Sequence, residues 1–138
     1  MTVMKMTTDF SEDSSGSGSM KDVKPWRYDL IPPEVEHQLA IHFGRGMAKG
    51  YPARNWEQGQ KFSTYYTSAR SHMGAFWRGE DEDPDDRTII EGLGRAHHLD
   101  AAIWQLVCLR HHTLNPDLVA KHDLDDRPSG LIVATERS

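Results

Sequence analysis

One cysteine, Cys108, stands in 138 residues, so neither an intrachain disulfide nor a multi-cysteine metal site can form, and a reducing interior is the natural compartment. Long apolar runs are also missing. None approaches the ~20 residues that a bilayer-crossing helix needs, and the start lacks the apolar stretch of a signal peptide. The expected setting is therefore soluble and cytoplasmic, without a membrane partner. Positive charge is in deficit, with 16 Lys and Arg against 21 Asp and Glu and a formal charge of −5. Nucleic-acid binders displace counterions with clustered Lys and Arg, so nucleic acid is not expected as the partner. A small anionic ligand stays open if local cations or a metal offset the repulsion. No alternating strand series, phosphate-cradling glycine loop or Ser-His-Asp arrangement is evident.

What is present reads as helix. Residues 1–24 are polar, and Ser14-Ser15-Gly16-Ser17-Gly18-Ser19 has the composition of a flexible linker, so this tail is set apart from the fold. The ordered domain is expected over residues 25–116. Pro32 and Pro33 ahead of Glu34 make a helix start, with Val35, Leu39, Phe43 and Met47 recurring at helical spacing. Gly50, Pro52 and Gly59 then punctuate a loop that holds Tyr51, Arg54, Asn55 and Trp56. A second helix is predicted from about Ser63 to Arg78, its stripe formed by Phe62, Tyr66, Ala69, Met73 and Phe76. A third follows Gly92 and Gly94, with Leu93, Ala96, Leu99, Ile103, Leu106 and Leu109 as its apolar stripe, and ends near Asn115-Pro116. Residues 117–138 form a polar extension relieved by Leu131-Ile132-Val133. The fold class is all-α, three long helices plus a short one. Helices this few make a thin core, which a homo-oligomer, dimer or tetramer, would complete.

Between Gly79 and Asp86 lie six carboxylates in eight residues. Such crowding is unfavourable unless solvent or a cation screens it, and the imidazoles of His72, His97 and His98 make a divalent ion a reasonable partner. A solvated acidic loop is the alternative. Glu80 and Asp83, three apart at the expected helix end, can point the same way, with Pro84 stopping the helix. His98 lies beside Ala101, Ala102 and Gln105, where small side chains leave room for a pocket. Lys49, Arg54, Lys61 and Arg78 bring positive charge nearby, the combination phosphate binding needs. Trp56 can stack on a planar base and Asn55 can hydrogen-bond its edge, although a core plug is the commoner fate of Trp.

Several of these motifs, in order, carry a likeness. They are Arg27-Tyr28-Asp29-Leu30-Ile31-Pro32-Pro33-Glu34, Gly46 to Lys49 with Tyr51, Arg54 to Gly59, Ser71-His72, Trp77-Arg78-Gly79-Glu80 with Asp83-Pro84, and His97-His98-Leu99. Over about residues 24–112 the chain resembles the phage dATP/dGTP diphosphohydrolases, relatives of the MazG-like all-α nucleotide pyrophosphohydrolases, including the MazZ branch. It departs from their pattern at Ser71, where Arg is frequent, and at Ala101, where a second His is frequent. The resemblance implies a MazG-like helical bundle that hydrolyses purine deoxynucleoside triphosphates between the α and β phosphates, giving the monophosphate and pyrophosphate. Glu80 and Asp83 would be catalytic and, with His98, would hold Mg²⁺ or Mn²⁺. Lys49, Tyr51, Asn55, Trp56 and His72 would bind substrate. The MazZ likeness implies a preference for dGTP, feeding synthesis of 2-aminoadenine DNA. The alternative is a non-catalytic helical dimer that binds a nucleotide or a protein.

Overall fold

A computed structural model describes residues 10–12, 17–22 and 24–128. Leu131-Ile132-Val133 and the linker residues Ser14 to Gly16 lie outside the described residues. The chain divides into two compact units, Met1–Glu36 and His37–Ser138. In the first, on either side of the segment of linker composition, β1 (Phe10–Glu12) pairs antiparallel with β2 (Met20–Asp22), Phe10 opposite Asp22 and Glu12 opposite Met20. A 3-10 turn follows at Tyr28–Leu30, with the Arg27 guanidinium donating twice to the Asp29 carboxylate.

Helix α1 spans Pro33–Ala48. Then come a 3-10 turn at Asn55–Gln58, α2 (Phe62–Trp77), α3 (His98–Thr113) and α4 (Pro116–His122). Apart from the ribbon and two isolated bridges, the described residues form helices, turns and loops, so the architecture is all-α. Among them, no helix is long and apolar enough to cross a membrane.

Helices α2 and α3 run antiparallel: Tyr65, early in α2, meets His112 near the end of α3, and Phe76 meets His97 at its start. Their buried faces are rich in small residues, Ala69 and Ala75 on one and Ala101, Ala102 and Cys108 on the other. Small side chains let the two backbones approach closely. That decides which stripe goes inside, and it is not the leucine stripe read from the sequence. Leu99 and Leu106 on α3, and Tyr66 and Met73 on α2, stay exposed, while His98 and His112 are buried. The sequence of α3 offers two faces at helical spacing, and close approach selects the one with alanine and histidine over the one with leucine. Leu124, after α4, is buried, and its carbonyl accepts from Phe62 N at 2.8 Å, tying the chain beyond α4 to the start of α2.

The end of α2 falls within one residue of the expected Arg78. It closes at Trp77, so Pro84 is not what stops it. Gly79 adopts a left-handed φ of +98°, its N–H donates to Phe76 O, and Glu80 N donates to Ala75 O. That is a Schellman cap, which glycine enters without the Cβ penalty. Glu80 and Asp83 therefore sit on the loop after the helix and not on its last turn.

Candidate active site

The acidic loop is clipped to the start of α3. Glu82 and His97 form an antiparallel bridge, Asp83 N donates to Ala96 O at 2.9 Å, and His98 N donates to Asp81 O at 2.8 Å. His97 caps α3, its Nδ1 accepting from Leu99 N. His98 then begins the helix with a buried ring. Its Nδ1 lies 2.8 Å from His72 Nδ1, and its Nε2 lies 2.7 Å from Glu80 Oε1. Ligand atoms of His72 (α2), Asp83 (loop) and His98 (α3) all fall within 4.8 Å of one another. Two imidazole nitrogens and a carboxylate oxygen converging so closely fit a divalent cation, and the mixed set suits Mn²⁺ better than Mg²⁺, which prefers oxygen alone. Glu80 meets His98 from the exposed side and stands outside that trio.

Beside the trio lies a cavity of about 470 Å³, a size suited to a small-molecule ligand. His72 and Asp83 line it, together with Lys49, Tyr51, Asn55 and Trp56. Six of the eight residues read from the sequence thus share one cavity, while Glu80 and His98 are not part of its lining. Part of the lining is aromatic: Phe43 meets Trp56 edge-on at 5.3 Å and Trp104 at 6.0 Å. Gln58, Gln60 and Gln105 also line it.

The family model described as dATP/dGTP diphosphohydrolase, N-terminal, matches residues 15–123, which include the trio and the whole cavity lining. The chain belongs to this dATP/dGTP diphosphohydrolase family. No curated protein and no solved structure matches it. The family's description is of a hydrolase with purine deoxynucleotide substrates, and the aromatic residues that line the cavity are consistent with a planar base.

Two features of the diphosphohydrolase site escaped the sequence reading. The first is a buried ion network. Asp86 accepts from Thr88 N at 3.0 Å and Ala96 N at 2.7 Å, and faces Arg45 at 3.7 Å and Lys49 at 3.9 Å. Arg45 donates in turn to the carbonyls of Thr88 and Gly94. Burial alone would push the Asp86 carboxyl up, but the Ala96 and Thr88 donors, then Lys49 and Arg45, outweigh it and hold it below the ordinary carboxylate value. Asp86 lay inside the acidic run, and Arg45 on a helix face scored by its apolar neighbours. Long-range pairing of this kind has no local signal.

The second is a set of imidazoles kept neutral by burial. His42 lines the cavity against Trp104. Burial, then the cations of Arg45 and Lys49 and the His72 ring, push it down to about 4, with Asp86 opposing. His72 is lowered by burial, with Asp83 opposing and His98 adding. His112 is fully buried and lowered by burial and then by His111. The Trp56 backbone weakly favours its charged form, yet neither ring nitrogen has a well-directed hydrogen bond. Each value lies below the ordinary 6.5, so below that pH the unfolded chain binds more protons than the folded one. The resulting stability is full above pH 6.5 and is lost as pH falls toward the folded values. For His42 alone the loss at pH 5 is about 2 kcal/mol. Urea midpoints measured at pH 7 and pH 5 are expected to show this drop, and His42→Leu to shrink it. An unchanged midpoint would contradict the assignment.

Proposed function

We propose that the protein hydrolyses dATP and dGTP between the α and β phosphates, releasing the monophosphate and pyrophosphate, with Mn²⁺ or Mg²⁺ as cofactor. The observation that supports this best is the His72, Asp83 and His98 trio adjoining a cavity with an aromatic wall. When bound, the cation would polarise phosphoryl oxygens and acidify an attacking water. The remaining work falls to the chain. Asp83, His72 and His98 hold the ion, and Glu80 accepts from His98 Nε2, leaving Nδ1 for the trio. Lys49, half-exposed in the cavity, offsets phosphate charge, with Tyr51 beside it. Trp56 and Asn55 receive the base. In the chemical step a water oxygen bonds to the α-phosphorus and the α–β bridging oxygen leaves with pyrophosphate. A loop carboxylate takes the water's proton.

Incubation with each dNTP and Mn²⁺ or Mg²⁺, followed by product analysis, tests this reading. Equal amounts of dNMP and pyrophosphate are expected from dATP or dGTP. Release of inorganic phosphate would point to a different phosphohydrolase, and no turnover with any triphosphate would favour a nucleotide-binding module. We place the activity in the cytoplasm, that of a bacterial host if the gene is a phage's. In a phage that replaces adenine with 2-aminoadenine, hydrolysis of dGTP would supply a precursor and hydrolysis of dATP would remove the competing base.

The protein also acts as a homo-oligomer in this reading. Tyr66, Met73 and Trp77 form one exposed stripe on α2, with Trp77 88% exposed, and Leu99 and Leu106 form another on α3. Apolar surface of this extent on paired helices is what a second copy would cover. Light scattering after size exclusion is expected to give a dimer or tetramer for the full chain and a smaller species for Trp77→Asp combined with Leu106→Asp. A monomeric parent protein would contradict it.

A further inference from the structure

His112, in the last turn of α3, is fully buried, and among the described residues neither of its ring nitrogens has a well-directed hydrogen bond. A neutral imidazole carries one N–H donor and one acceptor, and sealing both from water without partners is costly. Its surroundings show what the ring can serve. The edge carrying Cε1 and Nε2 faces Gly59, where an added Cβ would stand 3.3 Å from Cε1 and 3.5 Å from Nε2. That Cβ would also lie 2.7 Å from Leu124 Cδ1, and the backbone there has a left-handed φ of +86°, so glycine is what lets the chain pass this close. The Trp56 backbone, three residues earlier, favours the charged ring, as an accepting carbonyl does. His111 adds a second hold, its ring edge-on to the Trp56 ring at 4.9 Å.

The segment gripped in this way supplies much of the cavity lining, from Tyr51 through Asn55 and Trp56 to Gln60. Its ends are pinned, Tyr51 N donating to Gly46 O and Gln60 N to Tyr65 Oη, each at 3.1 Å. Between them, the bonds from Asn55 N to Pro52 O and from Glu57 N to Arg54 O are local and shape the loop without fixing where it sits. We propose that His112 is a positioning residue for nucleotide binding, an inference that rests on the reading of the cavity as the triphosphate site. Its ring N–H completes a hydrogen bond to the Trp56 carbonyl as the loop closes on a nucleotide, so partnering a buried donor contributes to affinity. Fourteen residues of α3, about 21 Å of helix, separate it from His98. Its effect therefore falls on nucleotide affinity and not on ion binding or the chemical step.

The test compares the full-length parent protein with His112→Leu and His112→Gln, side chains of similar volume of which only the second keeps an N–H near the Nε2 position. Calorimetry with the α,β-methylene analogues of dATP and dGTP gives affinity, hydrolysis of both triphosphates gives KM and kcat, and urea midpoints at pH 7 give stability. His112→Leu is expected to weaken analogue binding and raise KM by about 5- to 10-fold, the worth of one hydrogen bond, with kcat within about twofold and manganese binding unchanged. Its urea midpoint should match or exceed the parent's, because a buried polar group without a partner is gone. His112→Gln should recover most of the affinity. A purely structural role predicts the reverse order, with leucine the better replacement at a sealed position. Parent-like affinity in His112→Leu, or no recovery in His112→Gln, would overturn the inference, and hydrolysis by the parent would leave the catalytic reading standing. The expected pattern of analogue affinities without hydrolysis would uphold the inference and sink the catalytic reading. A parent protein that neither binds the analogues nor turns over either triphosphate would sink both.

Discussion

Asp83→Ala is expected to reduce kcat for dATP and dGTP by about 10³-fold or more, since losing a charge that holds a catalytic ion removes several kcal/mol of transition-state stabilisation. Asp83 supplies the carboxylate of the trio, and without it two imidazoles offer no negative charge to balance a divalent ion beside a triphosphate. The fold should survive. The Asp83 backbone is held by Ala96 O and by the neighbouring Glu82 and His97 bridge, and its side chain contributes one local bond, from Asp85 N. Such a bond is worth about 1 kcal/mol, so far-UV circular dichroism and the urea midpoint should scarcely change. Glu80→Ala should cost less, about 10- to 100-fold, because Glu80 is half-exposed and acts on the trio through the His98 ring. Equal losses for the two variants would show that Glu80 reaches the ion directly. Full activity in Asp83→Ala would place the chemistry elsewhere.

The second large effect concerns stability. Asp86→Ala is expected to destabilise the folded protein by about 3–5 kcal/mol, because it strands the buried Arg45 charge and leaves the Thr88 and Ala96 donors without their acceptor. Asp86→Asn keeps the shape and the acceptor oxygen but not the charge, so it should lie between the two. The carboxyl is held below its ordinary value, so its contribution is present above the unfolded carboxylate value and is lost as pH falls through the folded one. Urea unfolding at pH 7 measures the gap. A loss under about 1 kcal/mol for Asp86→Ala would mean that the network is a solvent-screened contact.

The three long helices were legible in the sequence because their signals are local: Pro33 ahead of Glu34, the long apolar recurrence through α2, and Asn115-Pro116 closing α3, whereas α4 falls in what reads as a polar extension. The buried faces were less so. A hydrophobicity pattern favours the leucines at 99 and 106, whereas close helix approach favours the alanines at 101 and 102, and only packing against α2 decides between them. Among candidate site residues, Lys49, Tyr51, Asn55 and Trp56 were found through motif order, and the structure brings them into one cavity with His72 and Asp83. His72 was read as a substrate contact, and the structure sets it among the atoms that could hold a metal. That placement depends on antiparallel pairing of α2 with α3, which spacing within α2 alone does not encode. The link between Arg45 and Asp86 spans 41 residues and had no periodic signature at all.

Manganese binding by the full-length protein, followed by loss of the free-ion paramagnetic resonance signal without nucleotide, tests the central claim most directly. Saturable binding by the parent protein is expected, abolished in Asp83→Ala and in His72→Ala but kept in Asp86→Asn. A parent protein that leaves the free-ion signal untouched, or an Asp83→Ala variant that binds as well as the parent, would contradict the account.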